Sequence, residues 1–175
     1  LDRIVEDILS MSRIESGSLR LDSSLVDLAD LAKEAVLAAG RELDPRRVRL
    51  ELPEPALPAR LDFGLAARLV GNLLRNAARY SPAGSAIALS FAEAGGGLEI
   101  RVRDAGPGVA EEELPFLFER FRRGRSAQGG GLGLGLAICK GIAAAHGGTI
   151  EAHNAPGGGL EVSASFPGRV DGGEG

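Results

Sequence analysis

A helical pattern over residues 69–80 sets the framework for the whole chain. Its apolar side chains recur three and four residues apart, as they do along the buried face of a helix. They are Leu69, Leu73, Leu74 and Ala77. Asn72, Asn76 and Arg79 form a second, polar row on the same helix. Tyr80 lies one turn beyond Asn76 and ends the helix, for which Asp62 is the predicted N-cap.

The polar row of this helix indicates a chemistry. A carboxamide oxygen is a neutral, hard ligand that Mg²⁺ accepts beside phosphate oxygens. Arg79, one turn on from Asn76, is placed to donate charged hydrogen bonds to a phosphate. A metal ligand and a cation on one rigid helix predict a nucleotide site. The alternative is an ordinary core helix with two surface asparagines, and the stretch alone leaves both readings open.

Strand and helix patterns alternate along the rest of the chain. Short runs of alternating polarity predict strands at residues 18–24 and 48–52, with a helix between them at residues 27–39. Two hairpins are predicted further on, with strands at residues 87–91, 98–102, 149–153 and 160–166. Hairpins interspersed with helices predict an α/β fold, a two-layer sandwich in which helices cover one face of a mixed sheet.

The two ends of the chain have their own patterns. Residues 1–16 predict an amphipathic helix that Gly17 ends. Its apolar stripe resembles a coiled-coil seam, so the helix either pairs with another helix or packs on its own domain. The sequence opens inside this pattern without Met or a capping residue, and we expect a piece of a longer protein. Residues 168–175 are expected to be a disordered tail.

Two glycine-rich stretches are candidates for phosphate and base binding. Residues 129–138 alternate Gly and Leu and run into a predicted helix, where free N–H groups and the helix dipole favour a phosphate. No Gly-Lys-Ser/Thr follows, so this is not a Walker loop, and a flexible linker is the alternative. Asp104 ends a predicted strand before Gly106 and Gly108. A buried carboxylate there would accept the amine of adenine, although Asp before Gly is also common turn chemistry.

Composition narrows the classes of function. A net charge of −4 supplies no basic field for nucleic acid, whereas arginines cluster within a long segment, residues 110–131, that we interpret as a lid. Three aromatic side chains are expected to anchor that lid: Phe116, Phe118 and Phe121. The one cysteine, Cys139, excludes an internal disulfide and is expected to be a small buried side chain. No apolar run approaches the ~20 residues of a membrane span.

Together, four stretches resemble the motifs of sensor histidine kinases. In chain order they are the asparagine box at residues 72–81, the first glycine box at 104–109, the phenylalanine box at 116–121 and the second glycine box at 131–136. The resemblance implies that residues 18–167 form the catalytic ATP-binding domain, with the Bergerat (gyrase-type) fold. Residues 1–17 resemble the end of the second helix in the family's dimerisation and phosphoacceptor hairpin.

The resemblance implies roles for the residues of the asparagine helix. Asn76 would hold Mg²⁺ and act in catalysis. Asn72 and Arg79 would orient the triphosphate of ATP. Tyr80 would line the nucleotide pocket.

It also implies roles for the glycine boxes and the lid. Asp104 would bind the adenine amine, and Gly106 and Gly108 would shape the turn beneath the base. Arg123 would approach the γ-phosphate, with Arg120 and Arg125 as further candidates. The cradle around the phosphates would comprise Gly131, Leu132, Gly133, Leu134, Gly135 and Leu136.

The resemblance further implies partners and a location. The parent protein would be a homodimer through the hairpin, would pass its phosphoryl group to an Asp on the receiver domain of a response regulator, and would bind no nucleic acid. It would be anchored in the inner membrane with this part in the cytoplasm. We expect the 175-residue piece itself to be monomeric.

Two departures from the family pattern matter. Arg79 stands where the family more often has Lys, which keeps the charge but changes the donor geometry. The phosphoacceptor histidine is absent, because the two histidines, His146 and His153, lie at a helix end and in a hairpin and are expected to be structural. The acceptor would then lie upstream, and this chain would bind ATP without phosphorylating itself.

Three other readings remain at this stage. Gyrase-type and mismatch-repair ATPases hydrolyse ATP with a Glu four residues before the metal Asn. Here that position is Asn72, which cannot take a proton from water, so hydrolysis is disfavoured. Anti-sigma serine kinases are not expected to carry the N-terminal helix. A domain that only binds nucleotide is the remaining reading, and the intact Asn76, Asp104 and glycines speak against it.

Overall fold

The computed structural model of the chain describes residues 2–43, 47–121 and 132–168. Its helices are α1 (Asp2–Glu15), α2 (Leu28–Ala39), α3 (Phe63–Tyr80) and α4 (Gly135–Ala145). Its strands are β1 (Ser23–Val26), β2 (Arg47–Glu51), β3 (Ala59–Asp62), β4 (Ala86–Ala94), β5 (Gly97–Arg103), β6 (Thr149–Asn154) and β7 (Leu160–Phe166). Short 3-10 helices span Gly40–Leu43 and Leu114–Phe116.

The main sheet is mixed, as predicted. Its strand order is β2-β4-β5-β7-β6, with β2 parallel to β4 and the other neighbours antiparallel. Buried and half-exposed residues alternate along β4 and β7, because successive side chains of a strand point to opposite faces. Helices α3 and α4 pack on the buried face, and α2 lies beside α3. The predicted two-layer α/β sandwich is therefore confirmed.

Helix α3 forms the centre of the hydrophobic core. The four apolar residues of the sequence pattern are each at most 4% exposed: Leu69, Leu73, Leu74 and Ala77. Asp62 caps the helix, since its carboxylate accepts a hydrogen bond from the backbone N–H of Leu65 at 3.0 Å. The helix ends at Tyr80, before Ser81. Both ends of α3 agree with the sequence analysis.

The sequence analysis misplaced the bounds of one strand and missed another. The first strand spans Ser23–Val26, and residues 18–22 lie outside it. Strand β3 was missed altogether, because it is four residues long and follows a proline-rich connection. β1 and β3 pair with each other as a separate antiparallel ribbon, with Ser23 opposite Asp62. Pairing between segments almost 40 residues apart leaves no local signal.

Helix α1 packs on the helical layer of the same chain. The Asp7 carboxylate pairs with the Arg68 guanidinium at 2.9 Å, and Ser10 hydrogen-bonds to the same side chain. Ile14 lies against Gly141, where an added Cβ would come within 2.6 Å of it. The other side of α1 is 44–52% exposed at its large apolar residues, which are Ile4, Val5, Ile8 and Leu9. Within the described residues, no helix is both long and apolar enough to cross a membrane.

The predicted lid is described only in part. Residues 110–121 contain the short 3-10 helix, and Phe118 packs against the core. Phe116 and Phe121 have 41% and 68% of their surface exposed, so the prediction that all three aromatic residues act as anchors was wrong for Phe121. Residues 122–131, and the predicted tail apart from Gly168, lie outside the described residues.

Both histidines have structural contacts. His146 Nε2 accepts a hydrogen bond from the Asp62 backbone N–H at 3.1 Å, and Nδ1 lies 2.8 Å from the Ile142 carbonyl oxygen. The ring thus joins the end of α4 to the start of α3. His153 lies on the exposed side of β6, with Nε2 3.2 Å from the Glu161 carboxylate. These contacts agree with the structural role expected for each.

Candidate functional site

Two segments pack along the C-terminal half of α3: residues 104–109, after β5, and the first turn of α4. The Ala105 backbone N–H donates to Ser81 Oγ at 3.4 Å, just after α3 ends. The Asn72 carboxamide donates to the Gly135 carbonyl oxygen at 3.4 Å, at the start of α4. The structure therefore brings the predicted asparagine row, Asp104 and the glycine run together around α3.

Asn72 is a buried link between two helices, with 6% of its surface exposed. The Cys139 thiol of α4 donates a hydrogen bond to the Leu69 carbonyl oxygen of α3 at 3.5 Å. Burial raises the pKa of that thiol to about 12, so the predicted buried and unreactive Cys139 is confirmed. The amide of Asn72 holds the start of α4 against α3.

In the polar row of Asn72, Asn76 and Arg79, Asn76 is the side chain without a hydrogen bond or an ion pair to a described residue. It is half-buried on α3, and its carboxamide makes no hydrogen bond to any described residue. Across the described ranges there is also no cluster of three or more His, Cys, Asp or Glu side chains that would hold a metal by itself. A cation near Asn76 would therefore depend on one protein amide and on oxygens from a ligand and water.

Arg79 is held by a carboxylate that the sequence analysis did not single out. Its Nη2 lies 3.4 Å from Glu42 Oε2, in the short 3-10 helix after α2. The other carboxylate oxygen of Glu42 lies 3.3 Å from Arg3 of α1. Arg79 is thus paired with the Glu42 carboxylate, and a phosphate would have to compete with that carboxylate for the Arg79 guanidinium.

Arg75 places a further charge on α3. Its Nη2 donates to the Ala38 carbonyl oxygen at 3.3 Å, at the C-terminal end of α2, where the helix dipole favours a cation. Its Nε is buried and has no partner among the residues that the structure describes. Burial, and secondarily the charge of Arg3, lowers the pKa of the Arg75 guanidinium.

Asp104 is a buried carboxylate in a fixed orientation, 7% exposed. Oδ1 accepts backbone N–H bonds from Gly106 at 2.8 Å and from Leu160 at 3.0 Å. Oδ2 has no hydrogen-bond partner in the described part of the chain. One oxygen is therefore saturated by the backbone and the other remains an unused acceptor.

Close backbone approaches explain the glycines around Asp104. An added Cβ at Gly106 would lie 2.6 Å from the Tyr80 carbonyl oxygen. One at Gly108, which has φ +76°, would lie 2.6 Å from Asn154 Oδ1. One at Gly159 would lie 2.0 Å from the Asp104 carbonyl oxygen. The first two were predicted, whereas Gly159 was assigned only to a hairpin turn because its neighbour lies 55 residues away.

The start of α4 is open for an anion. No described side chain caps the helix, so its first-turn N–H groups have no side-chain acceptor in residues 2–43, 47–121 and 132–168. A Cβ added at Gly135 would have no described atom within 4 Å. Leu134 is buried and Leu136 packs on the core, so these residues offer only their backbone to a ligand. Gly133 has φ +69°, a conformation that favours glycine, and Leu132 also packs on the core.

Of the remaining predicted phosphate ligands, the structure describes only Arg120. Gly131, Arg123 and Arg125 lie outside the described residues. Arg120 pairs with Glu15 at the end of α1. Asn154, which contacts the segment after Asp104, was missed because the two are far apart in sequence.

Comparisons with known protein families and sequences show which proteins this chain is similar to. The sequence model described as "Histidine kinase-, DNA gyrase B-, and HSP90-like ATPase" matches residues 62–170. The sensor protein KdpD of Escherichia coli (strain K12) is 37% identical over 169 residues, which cover 94% of this chain and 18% of KdpD. The chain thus spans less than a fifth of the KdpD relatives that it matches, 18–19% of their length.

Solved structures show the same fold. The mycobacterial sensor histidine kinase MprB superposes with a TM-score of 0.73 at 29% identity, over 83% of this chain and 99% of the MprB chain. Full-length ShkA, crystallised in complex with AMPPNP, superposes with a TM-score of 0.80 at 28% identity, over 95% of this chain and 35% of that one.

Proposed function

We propose that this chain, which belongs to the family of histidine kinase-, DNA gyrase B- and HSP90-like ATPases, uses its ATP-binding domain to phosphorylate a histidine of a sensor kinase. Its relatives and structural neighbours include histidine kinases, and its fold is that of their catalytic domains. The γ-phosphoryl group of ATP would go to a histidine on a dimerisation helix outside this sequence, and from there to an Asp of a response regulator.

The observation that supports nucleotide binding most strongly is the orientation of Asp104. Because Oδ1 is saturated by two backbone N–H groups, only Oδ2 is left to accept a hydrogen bond. An exocyclic amine donates such a bond, whereas a carbonyl oxygen at the same position of a purine would be repelled. The buried acceptor therefore favours adenine over guanine.

Magnesium fits the donor set around Asn76. The carboxamide is half-buried and has no hydrogen-bond partner among the described residues. Mg²⁺ usually takes few protein ligands beside water and phosphate oxygens. When bound, Mg²⁺ would neutralise charge on the β- and γ-phosphates. The uncapped N–H groups of α4 would bind the phosphates from the opposite side, and Asn72 would keep that turn in place.

Transfer to a protein is favoured over hydrolysis. The position four residues before Asn76 holds Asn72, whose amide is no general base and is already bonded to Gly135. His146 and His153 both have structural contacts, so neither is a suitable phosphoryl acceptor. Phosphoryl transfer needs mainly positioning and neutralisation of charge, which the remaining residues supply.

The partners and the location follow from the same proposal. The exposed apolar stripe of α1 would pair with a second copy, which makes the parent protein a homodimer. The response regulator would dock through its receiver domain. The parent would be anchored in the inner membrane with this part on the cytoplasmic side.

The full-length protein, incubated with Mg²⁺ and radiolabelled ATP, tests the proposed activity. We expect label that is stable in alkali and lost in acid, as a phosphohistidine is, and slow release of free phosphate. The 175-residue chain should bind ATP but take no label. Rapid release of phosphate without labelled protein would instead indicate a gyrase-type ATPase. Tight ATP binding with neither label nor hydrolysis would indicate a domain that only binds nucleotide.

Glu42→Gln is expected to strengthen ATP binding two- to fivefold. The change removes the charge that competes with the triphosphate for Arg79, and exposed ion pairs contribute about 0.2–1 kcal/mol. Calorimetric titration of the chain with MgATP measures the effect. Glu34→Gln, on α2, is the matched control and should leave the affinity unchanged. An unaltered or weaker affinity in Glu42→Gln would show that Arg79 does not reach the triphosphate.

A further inference from the structure

Asn154, at the end of β6, makes two hydrogen bonds to the backbone of one distant residue. Its Oδ1 accepts from the Val109 N–H at 2.8 Å, and its Nδ2 donates to the Val109 carbonyl oxygen at 2.7 Å. Nδ2 also lies 3.2 Å from Glu111 Oε1. The side chain therefore bonds Val109 as a neighbouring strand would, through one donor and one acceptor.

The same hairpin that carries Asn154 also fixes Asp104. The Leu160 backbone N–H donates to Asp104 Oδ1 at 3.0 Å, and the Asp104 N–H donates to the Leu160 carbonyl oxygen at 3.0 Å. Arg103 Nη2 donates to the Pro156 carbonyl oxygen at 2.7 Å. Residues 104–109 are thus tied to the β6–β7 hairpin at both ends, by Leu160 at one end and by Asn154 at the other.

The contact between Asn154 and Val109 depends on Gly108, the residue before Val109. Gly108 has φ +76°, and a Cβ there would lie 2.6 Å from Asn154 Oδ1. The absence of a side chain lets the Asn154 carboxamide reach past Gly108 to Val109. This explains the glycine by a side-chain contact in addition to its backbone conformation.

We propose that Asn154 is a positioning residue for the base of the nucleotide, an inference that rests on the proposed function. It holds residues 104–109 in the shape that presents Asp104 Oδ2, without contacting the ligand itself. Without the Asn154 side chain, one end of residues 104–109 is no longer held in place. The free energy of nucleotide binding is then reduced by the entropy cost of ordering this segment again. Two backbone hydrogen bonds of ordinary strength predict about a tenfold loss of affinity.

This role differs from that of a hairpin residue that only stabilises the fold. A stabilising residue would affect the binding of all ligands alike, through the fraction of folded protein. A residue that shapes the base pocket affects ligands that carry a base and spares the phosphate subsite at α4.

The test is calorimetric titration of the whole 175-residue chain with MgATP and with magnesium tripolyphosphate, which lacks a base. We expect Asn154→Ala to weaken ATP binding about tenfold and tripolyphosphate binding less than twofold. Asn154→Asp keeps the volume and the acceptor but loses the donor to Val109 and faces Glu111, so it should show the same selective loss. His153→Ala, the exposed neighbour on β6, should leave both affinities unchanged.

Three results would overturn the proposal. Unchanged ATP affinity in both Asn154 variants would show that the contact does not matter for the base. Equal losses for ATP and tripolyphosphate would indicate a general effect on folding, which the unfolding midpoint of each variant would report. A wild-type chain that binds neither ligand would contradict the proposed function itself.

Discussion

Asp104→Asn is expected to weaken ATP binding about 100-fold and to reverse the preference between ATP and ITP. The asparagine can keep its oxygen at the position of Oδ1, where the Gly106 and Leu160 N–H groups require an acceptor. Its amide nitrogen must then replace Oδ2 and point a donor at the base. Two donors facing each other across a buried contact cost about 3 kcal/mol, which corresponds to the expected factor.

The reversal is the more specific part of this prediction. Inosine presents a carbonyl oxygen where adenine has its amine, so the new amide gains a partner in ITP that it lacks in ATP. Competition of both nucleotides with a fluorescent ATP analogue measures the ratio. Asp30→Asn, an exposed position paired with Lys33, is the matched control and should change neither affinity. An Asp104→Asn chain with an unchanged ATP-to-ITP ratio would show that the base does not contact this carboxyl group.

Asn76→Ala is expected to remove the magnesium-dependent part of ATP binding, about 100-fold in affinity. The carboxamide is the one protein ligand proposed for the ion, and even indirect partners of a metal typically contribute 10- to 100-fold. Binding measured in EDTA should be the same in wild type and variant, because the base and phosphate contacts remain. Stability should change little, since Asn76 is half-buried and makes no hydrogen bond to any described residue.

Titration with ATP at several Mg²⁺ concentrations separates the two contributions of Asn76. The wild-type affinity should rise with Mg²⁺ and the variant affinity should stay flat. Lys140→Ala, an exposed position on α4, provides the control for a helix substitution. A variant that keeps the full magnesium dependence would exclude Asn76 as the ligand.

The local patterns were sufficient to predict the elements that carry the candidate site. The 3.6-residue period of α3, its Asp62 cap and the alternation of β5 and β7 are properties of neighbouring residues, and the structure has all of them. Asp104 and its glycines were found in the same way, because a strand end followed by close backbone turns is visible in one short stretch.

The features that the sequence analysis did not predict depend on contacts between residues that are far apart in the chain. Strand β3 exists because β1 pairs with it, and four residues after a run of prolines have no periodicity of their own. Glu42 and Asn154 act on Arg79 and Val109 from 37 and 45 residues away, so no spacing rule connects them. The sequence therefore predicted the elements on which the proposed nucleotide ligands lie, but not the side chains that restrain those ligands.

The central claim is that Asp104 binds the base of a nucleotide whose magnesium-bound phosphates are held by Asn76. A crystal structure of the chain with a non-hydrolysable ATP analogue and Mg²⁺ tests it most directly. We predict the adenine amine about 3 Å from Asp104 Oδ2 and the ion about 2.1 Å from Asn76 Oδ1, with the phosphates at the first turn of α4. Adenine bound away from Asp104, or an ion without the Asn76 amide in its coordination shell, would contradict the account.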